Sequence, residues 1–318
     1  MSAMANPLHF VSATITGSEQ YRQGDDKSAA GRPAADRAGG GAPGGTGVRG
    51  IPWAAGCGVR RLSGGAYRGG AGTVLLAGKT AIVHGGSGAV GSAVARAFAR
   101  EGAAVHLTGR TVAALEDVAR RIEGDGGVAH VAQLDATDRD AVDRHADAVA
   151  AEGDGIDICF NATSNDDLQG SPLVEMAVAD VTRPVIKAVT TTVVTATAAA
   201  RHMIHRGSGV ILVMAGGRKA IPDLGGSHIA WSALTGVCRQ LAAEVGPQGV
   251  RVAWLLSPGS PSPGSPAPDD ANRADEGALL TERPRYDDVA NAAVFAASDW
   301  ARTMTATELN LTGGLVPD

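Results

Sequence analysis

Three glycines at fixed spacing, Gly86-x-Gly88-x-x-Gly91, stand between an apolar run, Ala81-Ile82-Val83, and the stretch Ser92-Ala93-Val94-Ala95-Arg96-Ala97-Phe98-Ala99-Arg100. A turn that feeds a strand into a helix needs positive φ angles and close backbone approach, which glycine supplies without strain. The helix that follows presents unpaired N–H groups and a partial positive charge to an anion. This spacing matches the fingerprint that holds the pyrophosphate of a dinucleotide. In a chain with 44 glycines the match has force only because a strand precedes it and a helix follows. Gly85, Ser87, Gly88, Val90 and Gly91 form the candidate phosphate cradle. A tight structural turn without ligand is the plainer reading of the same residues.

A second apolar run, residues 103–107, leads into Thr108-Gly109-Arg110. An acid at this point would hydrogen-bond a ribose 2′-hydroxyl, whereas arginine suits a 2′-phosphate. Arg110 therefore points to NADP(H) over NAD(H), the alternative being a solvated helix-capping residue.

These groups need a scaffold, and the pattern downstream supplies one. Apolar strand candidates fall at 81–83, 103–107, 129–134, 156–160, 210–214, 250–256 and 308–311, with helical stretches between most of them. Largely apolar strands separated by helices indicate an α/β chain with a parallel sheet covered on both faces, a Rossmann-type doubly wound sheet of about seven strands. Residues 74–318 suffice for one such dinucleotide-binding domain with a sizeable core. Residues 1–73 differ: they are rich in Gly, Ala, Arg and Ser, contain Ala38-Gly39-Gly40-Gly41-Ala42-Pro43-Gly44-Gly45, and show no sustained apolar period. That composition predicts a disordered tail.

The tail carries 8 Lys and Arg against 4 Asp and Glu, a net +4, which leaves −9 on the remainder of a chain whose total is −5. An acidic folded part argues against a nucleic-acid partner. No run of about 18 apolar residues occurs, so no membrane span is indicated. Cys57, Cys159 and Cys238 show neither pairing nor metal spacing. Cys159 and Cys238 lie in apolar segments and read as core residues, no metal is expected, and a reducing cytoplasm fits.

Several further positions carry a family likeness. The turn His84 to Gly91 is similar to Thr-Gly-x-x-x-Gly-x-Gly, with His84 for Thr and Ala89 for the middle glycine; Asn161-Ala162-Thr163, Pro258-Gly259 and Thr312-Gly313-Gly314 follow in order. Over roughly residues 76–318 the chain resembles the short-chain dehydrogenase/reductase family. The resemblance implies that Asp135 contacts the adenine, that Asn161 ends the fourth strand beside the cofactor, and that Pro258 and Gly259 hold the nicotinamide. It further implies a small-molecule substrate and a homo-oligomer, a dimer or tetramer, built on long helices near 182–206 and 227–245. Medium-chain quinone reductases carry a similar glycine turn, but they need a folded substrate domain upstream, for which the tail is too short and too glycine-rich.

The catalytic half departs from the family. Counting back from Leu241-Ala242-Ala243-Glu244, the family's Tyr-x-x-x-Lys falls on Ser227 and Trp231. Its serine falls near residues 214–216, where none stands, and its asparagine near Ala188. The tyrosines are Tyr21, Tyr67 and Tyr286 and the lysines Lys27, Lys79, Lys187 and Lys219, so no lysine follows a tyrosine by four. In the family the lysine lowers the tyrosine pKa, and a shift of about three units is roughly 4 kcal/mol of differential interaction. Loss of a general acid costs on the order of 10²- to 10⁴-fold in rate. Ser227, His228 and Lys219 are the candidate substitutes, with Tyr286 behind them; His228 points about 100° around the helix from Ser227. Residues 260–274, rich in Pro, Ser and Asp, sit where the family places a mobile substrate-covering segment or, more plainly, form a surface loop. Two functions stay open: an NADP(H)-dependent oxidoreductase of 3-oxoacyl reductase or alcohol/ketone type with an atypical proton donor, or a catalytically degenerate NADP(H)-binding sensor or partner subunit.

Overall fold

The computed structural model describes residues 74–257 and 277–315. The glycine-rich tail, Pro258, Gly259 and the 260–274 segment lie outside the described residues.

Seven strands form one parallel sheet: β1 (Thr80–His84), β2 (Ala104–Gly109), β3 (Val128–Gln133), β4 (Ile158–Asn161), β5 (Gly209–Ala215), β6 (Val250–Leu256) and β7 (Thr307–Asn310). Their spatial order is β3-β2-β1-β4-β5-β6-β7. The α-helices are α1 (Ala89–Arg100), α2 (Val112–Gly124), α3 (Arg139–Glu152), α4 (Val178–Arg206), α5 (Ser227–Val245) and α6 (Tyr286–Ala297). The chain starts in the middle of the sheet, winds out to β3, then crosses over to β4 and winds the other way. This reversal is the switch point where ligands settle in open α/β sheets. Register pairs His84 with Thr108 and with Asn161, so β1, β2 and β4 end level and their following turns meet.

The sequence explains the layers. β1, β4, β5 and β6 are apolar on both faces and buried on both, whereas β3 and β7 at the edges stay partly exposed. On one face Phe98 of α1 meets Phe160 of β4 edge-on, ring centroids 6.2 Å apart, beside Leu115 and Ile122 of α2 and Val289 of α6. On the other, Met203, Leu234 and Cys238 of α4 and α5 pack against Ile211 and Trp254. Each fully buried side chain of this kind stabilises by about 1.5–3 kcal/mol. Cys159 and Cys238 belong to this second core, and burial pushes both thiols up to about 12.

Helix α4 begins at Val178, one turn earlier than the expected 182, and carries Pro184 inside it. Proline lacks the N–H that would bond the Asp180 carbonyl, which is why the sequence reads as a boundary there. Close packing offsets that loss. A Cβ on Gly226 would stand 2.2 Å from the Val181 carbonyl oxygen and 2.7 Å from Pro184 Cγ, so the first turns of α4 lie against the start of α5.

The first three strands also bring histidines together. His106 stacks on His130 with centroids 4.6 Å apart, and the His145 ring of α3 meets His106 edge-on at 6.2 Å. Burial, helped by His145, pushes His84 down to about 3. Burial, helped by His130 and His145, pushes His106 down to about 4. Among the described residues, no helix is long and apolar enough to cross a membrane, and no group of three or more His, Cys, Asp or Glu could hold a metal ion.

Candidate functional site

The turn after β1 is held by backbone hydrogen bonds to β2 and within itself. Gly85 and Gly86 N–H both donate to the Thr108 carbonyl, at 3.0 and 3.1 Å, and Gly88 N–H donates to the Gly85 carbonyl at 3.0 Å. The buried His84 ring adds a side-chain tie, Nδ1 to Thr108 Oγ1 at 2.8 Å. Gly85 adopts φ +78, and a Cβ there would sit 2.5 Å from the Ala162 carbonyl oxygen. A Cβ on Gly91 would sit 2.2 Å from the Gly85 carbonyl oxygen. The two glycines let three backbone segments touch. Above them α1 starts at an N-cap, Gly88, with no capping side chain and no acid in the first turn. Val90 and Gly91 lie in that turn, whose N–H groups and positive helix end are left for an anion.

Gly85, Ser87, Gly88, Arg110 and Asp135 line one cleft of about 220 Å³ together with Lys187. Gln133 Nε2 donates to the Arg110 carbonyl at 2.9 Å and fixes the end of β2. Asp135 Oδ1 accepts from Thr137 N–H at 2.9 Å and Thr137 Oγ1 at 2.7 Å. Those two bonds hold the Asp135 carboxyl below its usual range, and the charges of Arg110 and Lys187 lower it further. Lys187 pairs with Asp166, and that bond holds the Asp166 carboxyl low in turn. A wider groove of about 1100 Å³ runs along α1 and α2, but it lies on their flank and is lined by surface charges such as Arg96 and Asp125, 3.4 Å apart.

Asn161 is buried and turned inward. Its Nδ2 donates to Thr192 Oγ1 at 3.0 Å, and its Oδ1 accepts from Thr163 N–H at 3.0 Å and Thr163 Oγ1 at 2.8 Å. It fastens the Ala162-Thr163 turn to α4, the turn against which Gly85 packs.

The positions on which the resemblance would place the family's catalytic groups are filled by packing. Ser227, the first residue of α5, is fully buried; its hydroxyl donates to the Asp167 carboxylate and accepts from Gln169 Nε2 at 3.1 Å. A Cβ on Gly216 would lie 2.1 Å from Cε2 of the Trp231 indole, so the indole takes the space a side chain at 216 would need. Ala188 is buried in the core. His228 Nε2 lies 2.8 Å from the Arg218 carbonyl oxygen, and the ring lines a cavity of about 350 Å³ with Gly216 and Trp231. Lys219 is exposed on the loop between β5 and α5, and Tyr286 opens α6. The structure thus gives Ser227, His228 and Lys219 separate surroundings.

Lys187, Asp166, Asp167 and Gln169 were not singled out from sequence. The three loop residues have no periodic signal. Lys187 had one: it stands four residues before Thr191 on a helix, hence on the same face, and Thr191 lines the same cleft.

The glycine cradle, the unneutralised helix end and the Arg110 cation fit a nicotinamide dinucleotide on chemistry alone. Comparison with known proteins agrees. The family model for enoyl-(acyl carrier protein) reductase matches residues 86–316. D-threitol dehydrogenase of Mycolicibacterium smegmatis is 31% identical over 246 residues, covering 75% of this chain and 93% of its own. A short-chain dehydrogenase from Burkholderia cenocepacia, solved in complex with NADP, superposes with a TM-score of 0.67 at 27% identity, over 76% of this chain and 99% of that one. A dehydrogenase/reductase from Sinorhizobium meliloti gives the same TM-score and identity over 77% and 98%. Sheet order, glycine turn and matched length together make this chain a member of the short-chain dehydrogenase/reductase family.

Proposed function

We propose that this protein is an NADP(H)-dependent oxidoreductase that acts on a small ketone, alcohol or 3-oxoacyl compound, with a proton donor other than the family's tyrosine. The observation that carries the cofactor choice is Arg110, which follows β2 and lines the cleft where an acid would suit the unphosphorylated nucleotide. The glycine turn and the first turn of α1 bind the pyrophosphate, Asp135 contacts the adenine, Asn161 braces the turn beneath, and Pro258 and Gly259 hold the nicotinamide. The bound nicotinamide supplies or accepts the hydride. His228 takes the proton role in this reading. Its Nε2 is anchored on the Arg218 carbonyl, which can only accept, so Nε2 carries a hydrogen; Nδ1 then takes the proton from an alcohol substrate, or gives one to a ketone from the doubly protonated ring. The substrate class rests on the threitol dehydrogenase and enoyl reductase likenesses. The exposed apolar residues Ile186 and Val193 of α4 and Ile229 of α5 favour a homo-oligomer through these helices, and buried free cysteines favour the cytoplasm.

A second reading, an NADP(H)-binding sensor or partner subunit without turnover, is favoured by the Trp231 indole standing against Gly216. One pair of measurements separates them. In calorimetric titration, Arg110→Ala is expected to weaken NADPH about ten- to hundredfold and leave NADH unchanged, as loss of a charge-assisted bond requires. Equal affinity of the variant for NADPH would remove the NADP(H) assignment. NADPH consumption is then followed across ketones, enones and 3-oxoacyl compounds. Turnover that falls roughly a hundredfold in His228→Gln supports the oxidoreductase, whereas tight binding with no substrate-dependent turnover selects the second reading.

A further inference from the structure

Lys187 stands mid-helix on α4 and lines the nucleotide cleft, yet neither the core nor a helix cap uses it. Its side chain is only 18% exposed, far less than a lysine that swings free, and its ammonium is held by Asp166. A lysine drawn out of water in this way needs an anionic partner. Asp166 is itself placed with care: its backbone sits at φ +53, and Arg183 Nε donates to its carbonyl at 3.2 Å. A non-glycine residue in the left-handed region persists where neighbours over-determine it, and such residues gather at functional sites.

The cleft therefore contains two cations, Arg110 and Lys187, facing two carboxylates, Asp135 and Asp166, and each cation acts on both acids. Asp135 is already occupied by Thr137. Asp166 is engaged by Lys187, which is the cation best able to change partners, because an ammonium is a compact point charge on a flexible stem. A phosphate monoester carries about −1.5 to −2 charges near neutral pH and three acceptor oxygens, more than one carboxylate offers.

We infer that Lys187 is a ligand for a phosphate group of the bound nucleotide, and that Asp166 holds it in reserve by competing for the same ammonium. This deepens the NADP(H) reading and rests on it. The test is calorimetric titration of NADPH and NADH into the wild type, Lys187→Gln, Lys187→Arg and Asp166→Asn, with thermal melts to verify folding. Lys187→Gln is expected to weaken binding about tenfold, Lys187→Arg to restore most of it, and Asp166→Asn to tighten it several-fold. Weakening of NADPH alone assigns the 2′-phosphate, and equal weakening of both nucleotides assigns the pyrophosphate. Unchanged affinity in Lys187→Gln while the wild type binds NADPH overturns the ligand role and leaves the nucleotide reading intact. Asp166→Asn that binds no tighter overturns the competition. A wild type that binds neither nucleotide defeats the reading beneath, and this inference with it.

Discussion

The segments β1–α1 and β5–α5 are built alike: each leaves the C-terminal end of an inner strand, passes a glycine and enters a helix. Their glycines serve opposite ends. Gly85 and Gly91 are crowded by backbone, the Ala162 and Gly85 carbonyls, and the space beyond them stays open as a cleft. Gly216 is crowded by a side chain, the Trp231 indole, which takes the space of a side chain at 216 and forms one wall of the neighbouring cavity. Glycine at a strand end therefore marks close approach, by backbone in the first case and by a side chain in the second. Two strand ends of similar build thus differ in what their glycines admit.

The largest effect should come from breaking the first region. Gly91→Ala drives a Cβ into a backbone carbonyl that has no rotamer to escape by, so a loss of more than about 3 kcal/mol is expected, together with loss of NADPH binding. Urea denaturation and titration read both; a variant that binds NADPH like the wild type would mean the turn is looser than its geometry. Gly216→Ser tests the second region and should cost less, about 2 kcal/mol, because an indole can yield. Adding Trp231→Ala should recover part of that stability, and NADPH affinity should hold within about threefold in both variants. A drop in affinity as large as that of Gly91→Ala would show that the two regions are coupled.

Acid sensitivity should belong to β1 and its neighbour β2. The folded state holds His84 near 3 and His106 near 4, against 6.5 for a free histidine. Below pH 6.5 the unfolded chain takes up protons that the native histidines refuse, so this stability is full above 6.5 and falls as the pH drops toward 4. Between pH 7 and 6 the loss should be roughly 1 kcal/mol, and His84→Asn combined with His106→Gln should flatten the slope. Urea midpoints across that range would show it, and an unchanged slope in the double variant would move the effect elsewhere.

The sheet was legible because its strands are short apolar runs between helical stretches, and the cradle because glycine spacing there reflects local geometry. What stayed hidden depends on side-chain meetings between distant segments. Ser227 finds Asp167 across 60 residues and Gln169 across 58, through a loop with no period. Asp166 meets Lys187 across 21 residues by way of a left-handed backbone that no composition announces. The start of α4 was hidden by Pro184, whose local preference lost to packing against Gly226. Sequence could report which residues stand at Ser227, Trp231 and Ala188, but not what they pack against.

The meeting of Gly216 with Trp231 also constrains how the chain can change. Serine placed at 216 collides with the indole, and lysine placed at 231 alone leaves the backbone of Gly216 without the indole that covers it. Either substitution alone passes through a less stable protein, so the two positions change together more readily than one at a time.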